Sequence, residues 1–364
     1  MDNNHFITLY SPKKFIPYKQ DEDFLIYLAK RDGLISDTSH AHYYILHTDK
    51  KMGTTRQTFE EGRIHRTYVY IPKYFRLVKQ WYTLQRILRE VEGNKIFVIN
   101  NTFYQVSTHV LIKMYGWQSI KIVGTFFHLQ RKGVKKKVID TLERMHFRLA
   151  HKIVIISHSG FQYVPKKYLN KMIYKIPYFT YDVPKVKIEP RRTNRHSAVC
   201  LSRLEKEKDL ESLIEAWQGV EKKWTLTIFG DGSQREYLNQ KIISLGLSER
   251  IVIKEAIAHS LVWDTLWHYD AFVLTSPSEG LGIAFLEALY MKIPCIGLKV
   301  DGVRDTLGED RGILINPDKL KEKLGEALEV ALHLKNEKAW HDHIDNYFVK
   351  SVEPHLNYSI VEHL

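Results

Sequence analysis

Short apolar runs alternate along the chain with longer stretches in which apolar residues recur every third or fourth position. The first kind reads as strands buried on both faces and the second as amphipathic helices, so the alternation predicts parallel sheets with crossover helices. In the N-terminal half, strands are expected at 5–10, 43–47, 67–71, 95–99, 121–125 and 152–157, and helices at 22–30, 75–91, 106–115 and 135–149. The 75–91 segment is the most regular, with Leu77, Trp81, Leu84, Leu88 and Val91 on one face. Residues 176–197 then lose the period and carry Pro177, Pro184 and Pro190 among many charges, which is a linker signature. Beyond it the alternation restarts. Strands are expected at 198–201, 225–229, 251–254, 271–274 and 294–297, and helices at 210–218, 235–245, 261–268, 283–291 and 319–334, with a helical tail from 340.

This pattern divides the chain into an N-terminal unit over 1–178, a linker over 179–196, a second unit over 197–339 and a tail over 340–364. The fold class is α/β: two Rossmann-like domains, each with a parallel sheet, facing one another across a cleft. Such a cleft is the normal place for an active site. The length of 364 residues suits two domains. Composition excludes other classes. With 44% apolar and 26% charged residues the chain is neither disordered nor fibrous. No uninterrupted apolar stretch is long enough to span a bilayer, and MDNNHFITLYSPKKF lacks the apolar core of a secretory signal. Cys200 and Cys295 are the only cysteines, which rules out a disulfide scaffold, and both sit in apolar runs as small buried hydrophobes. The expected compartment is the reducing cytoplasm.

Charge separates the halves. Residues 1–180 hold 30 Lys and Arg against 13 Asp and Glu, a net of +17, whereas residues 181–364 hold 24 against 29, a net of −5. A basic half concentrates anionic ligands by long-range attraction. Phosphorylated substrates, anionic membranes and nucleic acid all fit that field.

The stretch with the most chemical content is SPSEGLGIAFLEALYMKIPCIG, residues 276–297. It reads as strand end, glycine-containing turn, helix, strand. Gly280 and Gly282 stand where the chain opens the helix, the place where backbone N–H groups and the helix dipole favour an anion. Glu279 precedes the turn, and Glu287 lies about one and a half turns into the helix. Carboxylates so placed can each take a pair of hydroxyl hydrogen bonds, as sugar or ribose rings offer. Taken alone, the same residues also suit an ordinary turn and a solvated helix position.

The spacing Glu279–seven residues–Glu287, within S-E-G-x-G…E-A and ahead of a Pro-initiated strand, resembles the signature of retaining glycosyltransferases of the GT-B fold, the family 4 type. Other segments agree in order. Leu201-Ser202-Arg203-Leu204…Lys208 resembles the R-L-x-x-x-K segment, and Thr227-Ile228-Phe229-Gly230-Asp231-Gly232 the strand with its G-D-G turn. His268 to Val273, Asp301-Gly302-Val303 and Gly312-Ile313-Leu314…Pro317 follow in register. The resemblance is dense over 198–317 and thin over 1–150.

The resemblance implies that the second unit binds a nucleotide-diphosphate sugar and the first an acceptor, with the tail crossing back to the first. Arg203 and Lys208 would hold the diphosphate and neutralise the leaving group, and Glu287 would bind the ribose. Glu279 would face the donor sugar, with Gly280, Leu281 and Gly282 contacting phosphate and sugar through their amides. Gly230, Asp231 and Gly232 would form a nucleotide-contacting loop. His128, at a predicted strand end, resembles the family histidine at the reaction centre. The implied reaction is transfer with retention, without a metal or other cofactor. No D-x-D motif is present. Three departures stand out. Ser11-Pro12-Lys13-Lys14 replaces a glycine-rich turn, Asp209 stands after Lys208 where glycine is frequent, and Met291-Lys292 replaces a glycine before the following strand.

Arg131, Lys132, Lys135, Lys136 and Lys137 lie just beyond His128 and lead into a helix. Such a cluster suits an anionic acceptor or an anionic membrane face, each basic residue near the surface adding about 1 kcal/mol. The expected partners are a nucleotide sugar and a lipid-linked or otherwise anionic acceptor, at the inner face of the cell membrane. Nucleic acid is disfavoured because no nucleic-acid-binding signature accompanies the basic residues. Alternatives are another GT-B nucleotide-sugar enzyme such as an epimerase, or transfer to nucleic acid or a soluble acceptor. The sequence leaves the base, the sugar and the acceptor open.

Overall fold

The computed structural model describes residues 4–10, 39–47, 55–59, 64–70, 82, 85, 86, 89, 91, 93–99, 106–123, 134–156, 158–174, 195–258 and 261–352. Two separate sheets, of eight and six strands, hold the fold together.

The first sheet comprises β1 (Asn4–Tyr10), β2 (Ser39–His47), β3 (Thr55–Phe59), β4 (Ile64–Tyr70), β5 (Asn94–Ile99), β6 (Gln118–Val123), β7 (Lys152–Ile155) and β8 (Met172–Tyr174). Its order is β3-β4-β2-β1-β5-β6-β7-β8, parallel throughout except for the antiparallel β3–β4 pair. The central strands are buried, with Phe6, Ile7, Ile96, Phe97 and Ile120 sealed from solvent. The edge strand β3 is TRQTF, whose polar side chains give no apolar signal, and it was not expected from the pattern. Helices α1 (Val106–Met114) and α2 (Val134–Leu149) pack side by side over β6. Tyr82, Gln85, Arg86 and Arg89 are helical, as the 75–91 periodicity requires. The expected helix at 22–30 lies outside the described residues. Two 3-10 segments, His158–Tyr163 and Lys166–Lys171, lead from β7 into β8.

The interior between β6, α1 and α2 is not wholly apolar. His109 on α1 stacks on His146 of α2 with their Nδ1 atoms 2.8 Å apart, and its Nε2 meets the Ser119 hydroxyl at 2.8 Å. Lys121, one strand position pair further on, faces Glu143 at 3.5 Å, and both are buried. Burial, reinforced by His146 and Lys121, pushes the His109 imidazole down to about 3, so the ring is neutral.

The second sheet comprises β9 (Ser197–Leu201), β10 (Thr225–Phe229), β11 (Ile251–Lys254), β12 (Ala271–Leu274), β13 (Cys295–Leu298) and β14 (Ile313–Ile315), in the order β11-β10-β9-β12-β13-β14 and parallel throughout. Its helices are α3 (Leu210–Ala216), α4 (Arg235–Ser244), α5 (Val262–Trp267), α6 (Ile283–Tyr290), α7 (Asp301–Leu307), α8 (Leu320–Lys335) and α9 (Lys338–Tyr347). One large apolar cluster joins them, from Ala198 through Trp217, Phe272 and Leu289 to Ile344. Trp340 and Phe348 belong to the same cluster, so α9 packs on this half of the molecule. Residues 353–364 of the tail that was expected to cross back to the N-terminal unit, and residues 179–194 of the linker expected over 179–196, lie outside the described residues. Cys200 and Cys295 are buried and free, as the apolar runs around them suggested.

Strand order decides where a ligand can sit. β9 lies between β10 and β12, so the chain runs outward on one side of β9 and then returns to build on the other. The loops leaving β9 and β12 therefore diverge at their C-terminal ends and leave a crevice.

Candidate active site

The crevice is bounded by the loop after β9, the loop after β10 and the loop after β12. The first two are locked together. Ser202 N–H donates to Phe229 O at 3.1 Å, Leu204 N–H to Asp231 O at 2.8 Å, and Gln234 N–H to Leu204 O at 2.9 Å. A Cβ at position 230 would stand 1.8 Å from Ser202 O, so only glycine lets the loops meet. Glu205 closes the contact by accepting from the Ser233 amide at 3.1 Å and its hydroxyl at 2.8 Å. Gly230, Asp231 and Gly232 thus brace the β9 loop from beside it.

That bracing sets the direction in which the chain leaves β9. A 3-10 turn, Lys206–Lys208, ends at Asp209 with φ 48° and ψ 43°. The departure at Asp209 keeps the backbone that glycine would supply: the aspartate takes the left-handed conformation, and its side chain accepts from the Ser212 hydroxyl at 2.8 Å. Lys292 repeats this solution at φ 58°, and its ammonium is paired with Asp345 on α9. Both replacements preserve the turn and add a contact. The Ser11–Lys14 departure lies outside the described residues.

The turn aims Lys208 at the β12 loop. Lys208 Nζ lies 2.6 Å from Glu279 Oε1, and both side chains are mostly shielded from water. Glu279 is followed by Gly280, whose surroundings are open within 4 Å, by the buried Leu281, and by Gly282, which enters α6 at φ 66°. Glu287 is the fifth residue of α6 and is buried, in a helix otherwise lined by Phe285, Leu286, Ala288 and Leu289. A buried carboxylate there is costly unless it is hydrogen-bonded or paired, so the sequence does not treat it as a solvated helix position.

The structure thus brings together Lys208, Glu279, Gly280, Leu281 and Gly282, with Glu287 on the helix they open. Arg203 stands apart: its side chain is 60% exposed and is held by Glu207 at 3.0 Å. His128, Arg131 and Lys132 lie outside the described residues. Lys135 and Lys136 lie on α2, and Lys137 on the same helix is exposed. Among the described residues, no three His, Cys, Asp or Glu side chains are grouped to hold a metal ion, and no helix is long and apolar enough to cross a membrane.

Sequence reasoning missed the support beneath the β12 loop. Helix α7 begins after two intervening residues beyond β13, and a Cβ at Gly302 would stand 2.2 Å from Glu279 O and 2.6 Å from Gly280 O. The Thr306 hydroxyl donates to Leu281 O. Two carbonyls of the Glu279 loop therefore pass close to the α7 backbone at Gly302, and a third, Leu281 O, is bonded to α7. A glycine after an Asp at the end of an apolar strand was the available signal.

Comparison with known proteins agrees with this geometry. TuaC of Bacillus subtilis (strain 168), a glycosyltransferase named for teichuronic acid biosynthesis, is 31% identical over 156 residues, 43% of this chain and 37% of TuaC. The alpha-monoglucosyldiacylglycerol synthase of Acholeplasma laidlawii is 26% identical over 227 residues, 59% of this chain and 56% of the synthase. The chain therefore spans between about a third and a little over half of these curated relatives. The crystal structure of Anabaena HepE in complex with UDP superposes with a TM-score of 0.71 at 16% identity, covering 98% of both chains. The two-sheet architecture is the GT-B glycosyltransferase fold, and residues 184–346 match the family of glycosyl transferases group 1.

Proposed function

We propose that the protein is a retaining glycosyltransferase that takes a sugar from a nucleotide-diphosphate donor without a metal ion. The observation that carries this is the Lys208–Glu279 pair, set at the switch point of a GT-B donor sheet beside the glycine entry to α6. In the free protein each group satisfies the other. A diphosphate entering the crevice offers Lys208 a doubly charged partner, and Glu279 is then released to accept hydrogen bonds from the sugar hydroxyls. Lys208 stabilises charge as it builds on the leaving phosphate, with Arg203 turning in from solvent to join it. Glu287 takes the ribose hydroxyls, and the amides of Gly280 to Gly282 contact phosphate and sugar. The sugar C1–phosphate oxygen bond breaks while the acceptor hydroxyl forms its bond to C1 on the same face. The acceptor proton passes to the leaving phosphate oxygen.

UDP is the nucleotide favoured by the likeness to HepE bound to UDP. The acceptor is proposed to be anionic or membrane-borne, of the cell-envelope glycan or glycolipid class. The +17 charge of residues 1–180 and the names of TuaC and the alpha-monoglucosyldiacylglycerol synthase support that reading. His128 is proposed to stand at the reaction centre, and the basic residues 131–137 to meet an anionic surface at the cytoplasmic face. The test is turnover of a panel of UDP- and GDP-sugars with glycerolipid and glycan acceptors, with product anomer read by NMR and with chelator present. Retained configuration, activity in chelator, and a loss of turnover in Glu279→Gln with nucleotide binding kept are expected. An inverted product or strict dependence on added metal overturns the mechanism.

A further inference from the structure

The support beneath the Glu279 loop reaches further than the donor half. Helix α7 is in contact with that loop on one side, through Gly302 and Thr306. On another side it bonds to the 3-10 segment His158–Tyr163, which belongs to the first sheet's half of the molecule and follows β7. Asp305 Oδ2 accepts from the Ser159 backbone N–H at 2.8 Å and from the Ser159 hydroxyl at 2.6 Å. Asp301 Oδ2 accepts from Tyr163 OH at 3.2 Å and from Gln162 Nε2 at 3.2 Å. Asp301 and Asp305 are four residues apart, so both carboxylates project from one face of α7. These bonds cross more than 130 residues of sequence.

The far end of α7 is fixed as well. Arg311 donates through Nε to Thr306 O at 2.9 Å and through Nη2 to Asp305 O at 3.3 Å, and its guanidinium lies 4.3 Å from the Tyr347 ring centroid. Burial, with Asp301 next, pushes the Tyr163 hydroxyl up to about 12, so it stays a donor across the physiological range. A seven-residue helix is too short to be stable by itself and takes its position from what it touches. Here it touches the donor-sugar loop and the acceptor-side half at once.

We propose that Asp301 and Asp305 are positioning residues for sugar transfer, holding the acceptor-side half in register with the loop that carries Glu279. This rests on the glycosyltransferase reading above. Transfer requires acceptor oxygen, sugar C1 and leaving oxygen to be aligned, whereas nucleotide binding requires only the donor half. A loss of register should therefore fall on transfer and spare nucleotide capture, since misplacement by about 1 Å can cost on the order of 100-fold in rate.

The experiment compares the wild type with Asp301→Ala/Asp305→Ala, Ser159→Ala and Ser159→Thr. It measures UDP affinity by calorimetry, kcat and KM for transfer, the ratio of donor hydrolysis to transfer, and thermal midpoint. In the double variant, UDP affinity should stay within about two-fold, while kcat for transfer falls on the order of 10- to 100-fold. Hydrolysis should rise relative to transfer. Ser159→Ala should show the same split in smaller measure, and Ser159→Thr, which keeps the hydroxyl, should restore it. An unchanged kcat in the double variant overturns the proposal. So does a parallel fall in UDP affinity, kcat and thermal midpoint, which would mark a purely structural contact. A wild type that transfers from no donor instead overturns the glycosyltransferase reading, and this inference with it.

Discussion

Among the described residues, Lys335–Asp270 in the second half and Lys121–Glu143 in the first are the lysine–carboxylate pairs most fully sealed from solvent, and the two are kept in different ways. Under the second sheet, Asp270 receives Lys335 Nζ at 2.5 Å, the Arg195 amide at 3.0 Å, and the Ser197 amide and hydroxyl at 3.1 Å each. Its carboxylate is surrounded by donors, and the residues around it are apolar. Under the first sheet, Lys121 and Glu143 are 3.5 Å apart, next to the His146–His109–Ser119 chain. Burial lowers the Lys121 ammonium, and Glu143 works against that shift. The second half thus embeds the saturated Lys335–Asp270 pair in an apolar core. The other half builds its interior on a polar network whose members depend on one another, so that losing one costs more than its own bond.

The largest way to break this contrast is Glu143→Ala. It leaves a buried ammonium without its carboxylate and should cost about 3–5 kcal/mol in urea unfolding. The double replacement Lys121→Met/Glu143→Leu should recover most of that loss. An unchanged midpoint in the single variant would mean that the pair carries no stability.

A second test stays within the second half and reads ligand binding rather than stability. Lys208→Ala should lower affinity for a nucleoside diphosphate by about 1.5–3 kcal/mol and leave nucleoside binding nearly intact, because a charge-assisted contact to phosphate is lost. Glu287→Ala should weaken both ligands. Equal losses on both ligands for Lys208→Ala would remove it from the diphosphate site.

The smallest effect comes from pH. An unfolded histidine takes up its proton near 6.5, whereas His109 in the fold stays neutral down to about 3. Between those values the unfolded chain holds the extra proton, so stability is complete above about 6.5 and falls as pH drops, by roughly 1.4 kcal/mol per unit. At pH 5 the loss is about 2 kcal/mol. Asn at position 109 should flatten the slope, and a slope that survives would place the titration elsewhere.

The second half was legible because its strands are largely buried and its turns are marked by glycine. Strands expected at 225–229, 251–254 and 271–274 match the structure in both bounds. Lys208 and Glu279 were named through the resemblance of the segments around them to the glycosyltransferase signature, and the structure places them within 2.6 Å of one another. Helix α7 was not legible: DGVRDTL opens with a charge and a glycine, and its buried residues are too few to show a helical period. The edge strand β3 was hidden by polar side chains, and β8 by the surrounding run of basic and tyrosine residues. His109 and His146 gave no signal at all, because their partner is a strand serine and the meeting is made only by tertiary packing.

Asp270 also imposes an order in time. Its donors come from Arg195 and Ser197 at the start of the second sheet and from Lys335 near the end of α8, some 140 residues later. At a synthesis rate of about 5–20 residues per second, the Asp270 carboxylate waits roughly 3–13 s for its cation after it is made. Until then β9, β10 and β12 can pair, but the charge at the edge of β12 has no ammonium to seal it. A nascent chain halted before residue 335 should therefore remain open to chaperones and proteases, and the domain should close only when α8 has emerged.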